Sequence, residues 1–121
     1  MAVVRYLVDD VDAAVGFYTE RLGFVLDQRM GPAFAIVSPG DLSLWLAGPE
    51  SSAARAMPDG RRPEPGGWNR LVLTVDDLEA RVDELKEAGV SFRNEIVTGP
   101  GGKQILLEDS AGNPVELFQP A

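Results

Sequence analysis

The sequence contains neither cysteine nor histidine. The first absence excludes disulfide frameworks, thiolate zinc sites and cysteine nucleophiles, and it leaves the reducing cytoplasm as the expected setting. The second removes the commonest metal ligand and the commonest general base together. A metal would have to be held by oxygen alone, and acid–base chemistry would fall to Asp, Glu, Lys or Tyr. Positive charge is also scarce: 11 Lys and Arg stand against 19 Asp and Glu, a net charge of −8. That balance argues against nucleic acid or an anionic membrane as a partner. Long apolar runs are missing too. Nothing approaches the roughly 20 residues of a membrane-spanning helix, and no leader pattern opens the sequence.

What is present suits one globular domain over residues 1–121. Hydrophobic residues make up 45% of the chain, enough for a core without covalent staples. The hydrophobic pattern runs through two modules. The first, residues 1–47, begins with β-rich Ala2–Val8, in which Val4, Tyr6 and Val8 share a face. Asp9 or Asp10 can cap a helix carrying Val11, Ala14, Val15, Tyr18 and Leu22 at helical spacing, which ends at Gly23. Three strands follow: Phe24–Arg29, Ala33–Ser38 and Leu42–Leu46. Residues 48–67 are rich in Pro, Gly and Ser and read as a connector, with a short helical turn expected over Ser51–Ala56. The order then starts again in residues 68–121. A strand over Asn69–Val75 leads to a helix with Asp76 as N-cap and Glu79 at the capping-box position. Gly89 ends that helix, and strands are expected over Val90–Val97, Lys103–Glu108 and from Pro114 onward.

The closing stretch, Asp109-Ser110-Ala111-Gly112-Asn113-Pro114-Val115-Glu116-Leu117-Phe118, reads as a tight turn entering a strand. Alternation puts Val115 and Leu117 on one face and Glu116 and Phe118 on the other, so a carboxylate sits in mid-strand and needs a partner or water if buried. The two modules align: Val8-Asp9-Asp10-Val11 matches Val75-Asp76-Asp77-Leu78, Leu22-Gly23-Phe24 matches Ala88-Gly89-Val90, and the turn at Gly40 matches the turn at Gly112. The expected fold is α+β, two tandem β-α-β-β-β modules forming a curled mixed sheet with a concave cup.

These landmarks, together with Phe17-Tyr18, resemble the vicinal-oxygen-chelate superfamily, which includes glyoxalase, bleomycin-resistance proteins and extradiol dioxygenases. The resemblance covers the whole chain except the connector. It implies four equivalent ligand positions for a divalent metal, on the first and last strand of each half. Those positions fall here on Val3, on Arg70, on Glu116 and within Leu42–Leu46, so one ligand of four survives, and no metal or other cofactor is expected.

Strand alternation gives the cup face Val3, Arg5, Arg70, Val72, Thr74, Glu116 and Phe118, with Ser43 and Trp45 nearby. Arg5, Arg70 and Glu116 can form a ligand-binding set, or the arginines can neutralise Glu116; either arginine can be its partner. Phe34, Trp45, Trp68 and Phe118 are candidate walls for a planar ligand. Tyr18 and Phe17 read as helix packing, and Arg61, Arg62 and Lys103 as solvated loop residues. The missing ligands, the absent histidine and the tryptophans point to a metal-independent protein that sequesters an aromatic or amphipathic small molecule, similar to bleomycin-resistance proteins, and the resemblance to that group implies a homodimer. The alternative is a glyoxalase-type lyase, isomerase or epimerase acting on a small oxygenated substrate, with Glu116 as the catalytic base.

Overall fold

A computed structural model describes residues 2–121. The chain divides into two compact units, the first ending at Gly66 and the second beginning at Gly67. Each has the order β-α-β-β-β, so the fold is α+β with two four-stranded mixed sheets, both open.

In the first unit β1 (Val4–Leu7) leads to α1 (Val11–Gly16), which continues as one π-helical turn over Phe17–Arg21. Then come β2 (Val25–Met30), β3 (Phe34–Ser38) and β4 (Leu44–Ala47). The spatial order is β1-β4-β3-β2, with β1 parallel to β4 and the other pairs antiparallel. The register sets Val4 against Leu44 and Tyr6 against Leu46, and continues to Val37 and Ala35. That face is buried against α1, whose Val11 and Ala14 point inward. Tyr18 is fully buried, 5.2 Å from the Phe24 ring and 5.3 Å from Phe17, as expected for helix packing. Each such large side chain removed from water stabilises the unit by about 2 kcal/mol. Asp10 is the N-cap, accepting from Ala13 N–H at 3.1 Å. The Thr19 hydroxyl donates to Val15 O at 2.7 Å, a back-bond that competes with the backbone ladder where the helix widens.

In the second unit β5 (Leu71–Thr74) and α2 (Leu78–Glu87) are followed by β6 (Val97–Gly99), β7 (Gly102–Glu108) and β8 (Pro114–Pro120), in the order β5-β8-β7-β6. Leu71, Val115, Leu117, Ile105 and Leu107 form the buried face, met by Leu78, Val82 and Leu85 of α2. The end of α2 is a Schellman closure: Gly89, at φ 85°, donates to Lys86 O and Val90 N–H to Leu85 O. Gly23 takes the equivalent place after the π turn, at φ 74°.

Two expectations need correction. The cap of α2 is Asp77, not Asp76: Asp77 accepts from Ala80 N–H at 3.1 Å, and Glu79 bonds Lys103 instead of closing a capping box. The apolar face of the helix begins at Leu78, and the cap must immediately precede it. The strand expected over Val90–Val97 is reduced to one bridge, Phe92 to Leu107, before β6 begins at Val97. The Asn94 side chain takes the Leu106 N–H at 2.9 Å, replacing the backbone acceptor that would have continued the ladder. In the connector, the expected helical turn is a single 3-10 turn over Ser52–Ala54.

Candidate functional site

The face of the first sheet turned away from α1 carries Arg5, Trp45, Ile36 and Phe34, brought into line by the pairings Arg5 with Trp45, Ile36 with Trp45 and Phe34 with Ala47. The Arg5 guanidinium lies 5.0 Å from the centre of the Trp45 ring and 5.8 Å from that of Phe34. The two rings meet edge-to-face at 5.6 Å. Beside them opens a cleft of about 400 Å³ lined by Arg5, Met30 and Phe34 together with Glu50 and Ser52 of the connector. Among the described residues Arg5 has no carboxylate partner and no hydrogen-bond acceptor. Three sequence candidates, Arg5, Phe34 and Trp45, therefore form one cluster.

On the corresponding face of the second sheet, β8 places Glu116 beside Val72 and Phe118 beside Thr74. Glu116 is 8% exposed, and Arg70 neutralises it: Nε and Nη2 both donate to Glu116 Oε1, at 3.1 and 2.9 Å. Arg70 Nη1 donates to Trp68 O at 3.2 Å. The choice left open between the arginines thus falls on Arg70. Lys103, read as solvated, pairs with Glu79 at 2.7 Å, which holds the Glu79 carboxyl below its usual range. Arg61 pairs with Asp59 in the connector.

Trp68 is 68% exposed, and its ring stacks on Arg93, whose guanidinium carbon is 4.6 Å from the ring centre. Arg93 is absent from every sequence-level candidate set, yet it ties the start of the second unit together. It bonds Glu108 Oε2 at 2.7 Å, Gly67 O at 2.6 Å and Gly112 O at 2.8 Å. Gly112 belongs to the turn that aims β8. Asp109 organises that turn, its Oδ1 accepting from Ala111 and Asn113 N–H and its Oδ2 from the Asn113 amide. The carboxylate of Glu116 is positioned by this turn and by the seven-residue pairing of β8 with β7.

The repeat sets Val3 against Arg70 and Arg5 against Val72. The registers then carry the equivalence across: Arg5 pairs with Trp45, and Val72 with Glu116. Trp45 consequently holds in the first sheet the place of Glu116 in the second. The resemblance assigns metal-ligand places to Val3, Trp45, Arg70 and Glu116, and these residue types do not fit a metal: within each unit at most one of the two is a ligating group, and Glu116 already accepts from Arg70 at Oε1. Among the described residues no three Asp, Glu, His or Cys side chains converge.

With this geometry in place, comparison with known proteins is direct. The sequence model of the Glyoxalase/Bleomycin resistance protein/Dioxygenase superfamily matches residues 1–117, and the chain belongs to that superfamily. It is 31% identical to the uncharacterized protein YurT of Bacillus subtilis (strain 168), over 98% of both chains. Among solved structures it is similar to TnmS3, an antibiotic binding protein from Streptomyces sp. CB03234, at 31% identity and a TM-score of 0.71, covering 100% of this chain and 97% of that one. It is also similar to a lactoylglutathione lyase from Agrobacterium tumefaciens, at 25% identity and a TM-score of 0.69, covering 98% and 92%.

Proposed function

We propose that this protein is a metal-independent member of its superfamily that binds and sequesters an aromatic or amphipathic small molecule. The observation that carries this reading is Trp45 standing where a metal carboxylate would be needed, with Arg5 stacked on it and on Phe34 beside an open cleft. The remaining carboxylate, Glu116, is held by Arg70. The likeness to an antibiotic binding protein supports the same reading. On the second unit taken by itself, Thr74 and Phe118 on the sheet and the exposed Trp68 are proposed as ligand-contacting residues. The protein is expected to act as a cytoplasmic homodimer without nucleic-acid or membrane partners.

The test is a thermal-shift screen of aromatic natural products, with and without chelator. A ligand that raises the midpoint equally in both supports the proposal; a panel that moves nothing counts against it. The rival lyase, isomerase or epimerase reading needs Glu116 as general base, and the Arg70 guanidinium paired with its Oε1 makes that carboxylate a weaker base. Turnover that survives chelator and disappears in Glu116→Gln would put the rival first.

A further inference from the structure

Resting on the binding reading above, we infer that the molecule taken up by the first unit is a planar aromatic with an anionic oxygen, a carboxylate, phenolate or enolate, at one end, and that Arg5 selects for it. Two sheets built on the same plan treat their arginines differently. Arg70 is spent on Glu116, with two of its nitrogens on one carboxylate oxygen. Arg5 is held by rings, 5.0 Å from Trp45 and 5.8 Å from Phe34. A ring face attracts the guanidinium and restrains it, but does not neutralise it. The fork of N–H donors therefore keeps its full positive charge and, among the described residues, has no protein acceptor.

The charge sits at the edge of the cleft that Phe34 and Met30 line with apolar surface. An arginine and an aromatic wall side by side recognise an anion joined to a flat ring, since one end finds paired donors and the other finds a face. Glu50 also lines the cleft. Its carboxylate disfavours a second negative charge on the ligand. In a protein of net charge −8, an anionic ligand is bound against the overall field, so the local arginine has to supply the selectivity.

The experiment is calorimetric titration of the full chain with 2-naphthoate and with neutral 2-naphthamide, at low and high salt. The wild type is expected to prefer naphthoate by about tenfold or more, the strength of a charge-assisted hydrogen bond, and salt should narrow the gap. Arg5→Gln should abolish the preference and Arg5→Lys should keep part of it. Arg61→Gln, which removes the same charge from the connector, should leave it whole. Arg5 is exposed, so these variants retain the fold. If both probes bind alike, or Arg5→Gln keeps the preference, the anion inference is overturned while the binding reading stands. If neither probe binds the wild type up to about 5 mM, where even a weak contact registers, the anion inference is overturned, and the binding reading is decided separately by the thermal-shift screen.

Discussion

Arg93 and Arg61 mark the two ends of what an arginine contributes here. The Arg93 side chain is 16% exposed, with one carboxylate and two carbonyls on its guanidinium. Arg93→Met is expected to destabilise the protein by about 1–3 kcal/mol in urea titration, because a carboxylate and two carbonyls lose a charged donor at a half-buried site. Arg61→Met removes a pair whose arginine is 84% exposed and should stay within about 0.5 kcal/mol of wild type. Glu79 allows a pH test. Its carboxyl is held low by the Lys103 ammonium, so the pair's contribution is present above the ordinary Glu range and is lost as pH falls through the lowered value. NMR titration should place the Glu79 midpoint below that of a free glutamate, and Lys103→Gln should move it back up. None of Arg93's roles was legible in the sequence. It lies in a segment whose composition suits a strand, and its partners are backbone carbonyls of Gly67 and Gly112, which side-chain patterns do not reveal. Glu116's need for a partner was legible from alternation alone. Which arginine answers it depended on pairing register, since Arg5 faces Trp45.

At the scale of elements, the helices, their glycine ends and most strands follow from hydrophobic spacing, because each module buries one face and exposes turns rich in Gly and Pro. The failures are local and share a cause: a side chain took over a backbone hydrogen bond. Asn94 did so where a strand was expected, and Asp77 did so one position after the expected cap. The caps are expected to be modest in effect. Asp77→Ala should cost about 1 kcal/mol in a denaturant titration, as N-cap removals do. The turn before β8 should be costlier. Asp109 is buried and satisfies two backbone N–H groups and an amide, so Asp109→Ala is expected to lose about 2–3 kcal/mol. Gly102, at φ 146°, begins β7 with its α-carbon against the Gln119 carbonyl. A methyl group there has no room, and Gly102→Ala should open the β7–β8 end, read as faster amide exchange at Ala121, whose N–H bonds Gly101 O.

For the whole molecule, the proposed binding function predicts that native mass spectrometry will find a homodimer, at twice 13.0 kDa, and the ligand accounting predicts that adding chelator or zinc will leave the melting temperature in place. Stoichiometric metal would overturn the metal-independent reading. The family was legible from the repeated landmarks, whereas the divergence of the two halves was legible only in part: the sequence names Trp45 and Glu116, and the paired registers make them counterparts. The same registers suggest an order of assembly that loop closure favours. β2, β3 and β4 can zip together through short turns, as can β7 and β8. But β1 joins β4 only by bringing Val4 to Leu44, and β5 joins β8 by bringing Leu71 to Val115. Closing loops of that length is entropically slow and is rewarded only at the end. The strand made first in each half is therefore expected to be the last to find its neighbour, and on that order Arg5 would reach its aromatic shelf on β3 and β4 only at that late step.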